Sequence, residues 1–112
     1  ALQAIAGGEV MGETPIATAA GLFVADAAWA SDAFVRAHIH EVALGTAPEI
    51  CVEVVSPSNS RKEIDEKTAA YLAAGAHEVW LVYLKSERCE FFGRQGRLDH
   101  SSFPVDLTQL FK

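Results

Sequence analysis

Long hydrophobic runs are missing from these 112 residues. Without about eighteen uninterrupted apolar residues no stretch has the length of an ordinary membrane-spanning helix, and the Ala-rich opening lacks the basic flank and cleavage pattern of a signal peptide. The expectation is a cytoplasmic chain with no membrane partner. Cysteine is scarce: Cys51 lies in an apolar run and Cys89 beside charged residues. Two such thiols make neither a metal-spaced cluster nor a disulfide framework. No glycine-rich phosphate loop is present, since Gly7-Gly8 and the other glycines lack the required spacing. Internal repeats and low-complexity tracts are absent, and neither Ser56 nor Ser58 has a His and an Asp arranged as a hydrolase triad. Positive charge is also short, with 9 Lys and Arg against 15 Asp and Glu and a net charge of −6. That balance argues against a surface that holds nucleic acid by electrostatics alone. Acidic residues gathered around a metal ion would relax the objection, because the cation reverses the local field.

Hydrophobic residues make up 50% of the chain, enough for one compact domain with one core. Gly21 to Ala30, GLFVADAAWA, reads as a buried strand with Asp26 set inside it. Ser31-Asp32 offers a turn or a helix start, and residues 33–42 read as a short helix or an irregular crossing that carries His38 and His40. Ile50 to Val55, ICVEVV, is the clearest strand: β-branched residues dominate it and Pro48 and Pro57 bound it. Its period of two places Cys51, Glu53 and Val55 on one face and Ile50, Val52 and Val54 on the other. Ser56-Pro57-Ser58-Asn59 is a turn. Ser60 with Glu63 fits a capping box, so a helix begins near Arg61 and stops at Gly75. Ile64, Thr68, Tyr71 and Leu72 form its inward stripe, Lys67 lies on the flank of that stripe, and Lys62, Asp65 and Glu66 point away. Glu78 to Leu84 is a further buried strand, and Arg88 to Arg94 with Leu98 to Phe103 reads as a hairpin turned by Gln95-Gly96-Arg97. The closing VDLTQLFK has the look of a final helical turn. A helix between two strands is a crossover, so the strands around it are expected to be parallel or near neighbours in a mixed sheet, an α/β (α+β) arrangement.

Two carboxylates on neighbouring apolar strands are costly to bury unless protonated, paired or bound to a metal. Asp26 and Glu53 supply the oxygen ligands that a hard cation such as Mg²⁺ takes, commonly beside substrate phosphate. Such an ion polarises a phosphoryl oxygen and activates water, and a nearby lysine adds charge against the transition state. Blander roles exist for each residue. Asp26 could cap a turn at a strand end, Glu53 could pair with an interior Arg or Lys, and Lys67 could make a surface i,i+4 pair with Glu63. His38 and His40, two apart, would share a face of a strand, although a solvated or core role fits them better.

The stretch PEICVEVVSPSNSRKEIDEKTAAYLAAGAHEVWLVYLKSERCEFF resembles a widespread bacterial family of restriction-endonuclease-like proteins, Uma-type, once catalogued as a domain of unknown function, within the PD-(D/E)XK nuclease superfamily. Its carriers are Glu53-Val54-Val55-Ser56-Pro57-Ser58, Lys67 to Tyr71, Ala74-Gly75 and Glu78-Val79-Trp80-Leu81-Val82. Upstream, Ala25-Asp26 takes the place of the family's Pro-Asp at a strand end. The resemblance implies a restriction-endonuclease-like core, a DNA substrate, Mg²⁺ or Mn²⁺ as cofactor, and Asp26 and Glu53 as metal-binding acids with the Val54 carbonyl as a further ligand. The superfamily's usual lysine, two residues after the glutamate, would fall at Val55. In this family it has moved to the following helix, where Lys67 stands, so Asp26, Glu53 and Lys67 are the expected catalytic set. The family's upstream segment, with a Glu-Leu-Ile-Asp-Gly-like stretch and a helix, has no counterpart here. A single nuclease-fold domain over residues 1–112, truncated at its N-terminal side and able to form a homodimer, is therefore expected. A catalytically inactive binding or assembly module on the same fold is the alternative.

Overall fold

The computed structural model describes residues 7–103. The elements are β1 (Glu9–Met11), β2 (Thr14–Thr18), β3 (Gly21–Ala25), β4 (Ala27–Ala30), α1 (Asp32–His38), β5 (Ile50–Val54), α2 (Arg61–Ala73), β6 (Glu78–Tyr83), β7 (Arg88–Gly93) and β8 (Gly96–Leu98). A six-stranded mixed sheet runs in the order β1-β4-β5-β6-β7-β8, and β2 with β3 forms a separate antiparallel ribbon. The one parallel pair in the large sheet is β5 with β6, joined through α2. No helix among the described residues is long and apolar enough to cross a membrane.

The period-two reading of β5 holds on both faces. Cys51 packs with Ile64, Tyr71, Val79 and Leu81 beneath α2 and the β2–β3 ribbon, and Val55 joins that layer. Ile50 and Val52 pack on the opposite face with Trp29, Trp80, Val82 and Phe91. The α2 cap is also as expected: the Ser60 hydroxyl accepts from the Glu63 amide at 3.1 Å. At the other end Ala76 donates to the Tyr71 carbonyl at 3.0 Å and Gly75 to that of Leu72 at 3.2 Å. These paired bonds make a Schellman stop, which needs a residue outside the right-handed region after the cap, and Gly75 provides it at φ +117°.

Two expectations need correction, and two points that the sequence leaves open take shape. Gly21 to Ala30 is not one strand: it breaks at Asp26, with β3 in the ribbon and β4 in the large sheet, and Asp26 is exposed rather than buried. An ionised carboxylate is far cheaper in water than inside a strand pair, so the chain changes sheets there. Residues 9–18, unread in the sequence, form β1 and β2. The hairpin turns at Arg94-Gln95, with β8 already begun at Gly96 (φ +120°), since a left-handed position suits glycine at the end of the turn. His38 ends α1 whereas His40 lies in the turn that follows, so they share no strand face. Residues 105–112, read as a helical turn, lie outside the described residues.

One buried charge organises the far end of β6. Glu78, 1% exposed, accepts from Trp80 Nε1 at 2.9 Å, Ser101 Oγ at 2.6 Å and the Ser102 amide at 2.8 Å, and from the Ser102 hydroxyl. Burial pushes its carboxyl up, but the hydrogen bonds from Ser101, Ser102 and Trp80 outweigh it and hold the group below the usual range.

At Gly75 an added Cβ would sit 3.2 Å from Thr46 Cγ2, on a backbone conformation that L-residues rarely adopt. Gly75→Ala is expected to cost about 1–3 kcal/mol. Urea unfolding would show it as a lower midpoint at unchanged slope.

Candidate active site

Glu53 occupies the centre of the site because the β5 period turns it toward α2. It is 8% exposed, and its Oε1 receives two donors from that helix. The Tyr71 hydroxyl donates at 2.5 Å and the Lys67 ammonium at 3.3 Å. Lys67 and Tyr71 are four residues apart, one helical turn, so both reach the same oxygen from one face. Lys67 thus bridges to Glu53 and not to Glu63, which excludes the surface-pair alternative. Its side chain stays 35% exposed, with the ammonium also 6.0 Å from the Phe23 ring centroid.

Asp26 arrives from the other side. The β4–β5 ladder ends at the Ala27–Val52 pair, and just beyond it Asp26 Oδ2 accepts the Val54 amide at 2.7 Å. The carboxylate completes the ladder in place of a backbone carbonyl, which is the strand-end cap anticipated as its bland role. It does more than that, because it lies close enough to Glu53 to raise that group's pKa by like charge and by a shared hydrogen bond. Amide and carbonyl of one extended residue leave the strand on the same edge. The Val54 carbonyl therefore faces the Asp26 side as well.

Electrostatics mark Glu53 as the unsettled member. Burial raises its carboxyl above the ordinary range, the Tyr71 hydroxyl and Lys67 pull it down, and Asp26 pushes it up again, with a net upward shift. Burial and the Glu53 hydrogen bond push the Tyr71 phenol far up, so it remains a donor at neutral pH. Cys51, on the same strand face, is raised to about 12, first by burial and then by Glu53, and is an inert thiol. Tyr71 is the residue that sequence reasoning missed. Its position four residues after Lys67 was the available signal, but an aromatic residue on an apolar stripe reads as core.

A hard divalent cation suits this donor set: two adjacent carboxylates, one of them held above its normal pKa first by burial and further by the other, with a backbone carbonyl on the same edge. Among the described residues no three His, Cys, Asp or Glu side chains converge into a metal cluster, and the carboxylates that meet here are Asp26 and Glu53. A small crevice lined by Glu53, Val54, Asn59, Glu63 and Lys67 opens at the site. A broader groove of about 310 Å³, between the β1–β2 region and α1, holds none of the three residues. Groove size is a poorer guide here than charge, because the buried carboxylate is what demands a chemical reason.

The family model described as "Uma2: Putative restriction endonuclease" matches residues 3–110. Among solved structures, a "putative nuclease belonging to DUF820" from Anabaena variabilis ATCC 29413 superposes with a TM-score of 0.71 at 16% identity, over 93% of this chain and 68% of that one. At that identity the likeness establishes the fold: a mixed sheet with a crossover helix, as expected from the sequence. No curated protein matches the chain.

Since folding raises the Glu53 pKa above the ordinary 4.5, the folded protein binds more protons than the unfolded chain just above that pH. Stability from this group is full below about 4.5 and falls as pH rises through the raised value. Glu53→Gln removes that slope, and at pH 7 it is expected to be more stable than the wild type. Parallel thermal melts from pH 4.5 to 8 would show the gap widening with pH; a constant gap would contradict it.

Proposed function

The chain belongs to the Uma2 family, and from that membership and the site we propose that it is a metal-dependent endonuclease that hydrolyses phosphodiester bonds of DNA. The observation that carries the reading is the meeting of Lys67 and Tyr71 on Oε1 of a buried Glu53, with Asp26 beside it. Two donors from α2 and a carboxylate from the β3–β4 junction are ordered around one carboxylate whose pKa stays raised in the fold.

Asp26, Glu53 and the Val54 carbonyl would hold Mg²⁺ or Mn²⁺. When bound, such an ion supplies Lewis acidity toward a phosphoryl oxygen and toward water. The chain's residues set the geometry. Tyr71 is a positioning residue: its hydroxyl occupies one lone-pair direction of Glu53 and lowers the pKa of the carboxyl, keeping more of it ionised at neutral pH. Asp26 is oriented by the Val54 amide, so its bound oxygen is fixed and its other oxygen is left for a ligand. Lys67, part-exposed at the edge of the site, can set its ammonium against the negative charge that develops on the phosphoryl group.

A second reading, a non-catalytic binding or assembly module, draws on Ile39 and Val42, 67% and 94% exposed, at the groove beside α1. Calorimetric titration with Mn²⁺ separates the two. For the enzyme, Asp26→Ala abolishes both binding and metal-dependent DNA cleavage. Lys67→Ala keeps the metal and loses about 10²–10³-fold in kcat, the usual cost of one charge-stabilising donor. A protein that is blind to Mn²⁺ and leaves every DNA intact belongs to the second reading.

A further inference from the structure

Glu53, Leu81 and Glu90 stand side by side on three successive strands, Glu53 opposite Leu81 and Leu81 opposite Glu90. At the usual strand spacing this puts Glu90 about 10 Å from Glu53 on the same sheet face. Around Glu90 the chain concentrates arginine. Arg61 Nη1 lies 3.6 Å from one carboxylate oxygen and Arg97 Nη1 3.5 Å from the other. The guanidinium of Arg88 stacks 4.5 Å from the Tyr83 ring centroid, and the Tyr83 hydroxyl donates to Glu90 at 2.6 Å.

The layering of this cluster matters more than its pairings. The Glu90 side chain is only 9% exposed, whereas Arg61 and Arg97 are 58% and 65% exposed, and Arg88 is exposed too. The carboxylate lies beneath and the cations face solvent. One cation would suffice to neutralise one buried carboxylate. Arg61 and Arg97 pair with Glu90, Asp65 also engages Arg61 at 3.1 Å, and Arg88 on the Tyr83 ring has no ion pair of its own among the described residues, so three arginines against two carboxylates leave the cluster net positive on a chain of net charge −6. The two Glu90 contacts are longer than tight charge-assisted hydrogen bonds, so guanidinium N–H groups remain free for another acceptor. Arginines already held in place by an ion pair and by stacking lose little freedom when they bind a phosphate.

We infer that Arg61, Arg88 and Arg97 form a docking surface for the phosphate backbone of a DNA strand whose scissile bond lies at Glu53. The inference rests on the nuclease reading for the position of that bond. It locates on one face the positive charge that the whole-chain balance lacks.

Anisotropy of a labelled DNA duplex, titrated in EDTA over a range of salt, tests it. Arg88→Gln/Arg97→Gln is expected to weaken binding by about tenfold or more and to reduce the slope of log K against log salt by about 2, one phosphate contact per arginine. Arg36→Gln on α1 serves as the remote control and should leave the slope unchanged. If the double variant fails to fold, Arg88→Gln alone, which removes no ion pair, should lower the slope by about 1. Hydrolysis of bis(p-nitrophenyl) phosphate with Mn²⁺, a substrate too small to reach the arginines, should be unaffected by the double variant. Unchanged DNA affinity and slope, or an equal loss in Arg36→Gln, overturns the surface even if the small diester is cleaved. An arginine-dependent slope in a wild type that cleaves neither substrate with any metal keeps the surface and sinks the nuclease reading.

Discussion

One oxygen of Glu53, receiving Tyr71 and Lys67 together, constrains most of what surrounds it. A carboxylate this deeply buried is tolerable only with donors at hydrogen-bond distance, and among the described residues α2 supplies both. The helix must therefore cross β5 with the 67–71 face inward. Its start at the Ser60 cap and its stop at Gly75 fix that rotation. Parallel pairing of β5 with β6 follows from the same crossover, and Leu81 closes the layer beside Glu53. Residual mismatch falls on Glu53 itself, whose pKa stays raised despite the donors. Residues that are stabilised least by their own fold are common where chemistry is done.

Periodicity made much of this legible. The alternation of ICVEVV identified the Glu53 face, and the helical spacing of Ile64, Thr68 and Tyr71 placed Lys67 on the inward flank; both are local patterns that tertiary structure did not override. Asp26 was legible as a charge needing a reason, but not as the point where the chain changes sheets. GLFVADAAWA is apolar on both sides of it, and no glycine or proline marks the break. Only the Val54 amide, 28 residues away, explains its place. β1 and β2 are not legible as strands because they are short and carry Glu, Thr and Pro, a composition that reads as loop. Tyr71 reads as core for its ring, and nothing in a linear pattern distinguishes a phenol that packs from one that also donates.

The charge balance has a similar lesson. A net of −6 over 112 residues says little about any one face. Glu78 is buried among donors and Glu53 beneath α2, so part of the acidic count never meets solvent. Arg61 and Arg97, by contrast, are more than half exposed. Burial sorts the two signs differently, so the potential that a polyanion meets is not the one the composition suggests.

The large sheet ends, among the described residues, in two strands of three residues each: β1 at one edge and β8 at the other. Unpaired strand edges are templates on which a foreign chain can add itself. Edges this short expose few free amides and carbonyls, and Glu9 and Arg97 put a charge on each. Growth of the sheet by edge-to-edge recruitment is thereby discouraged, and with it the runaway stacking to which β-rich proteins are prone. Copies of this chain that associate would do so through side-chain faces, where complementarity limits their number, rather than through backbone, where nothing would.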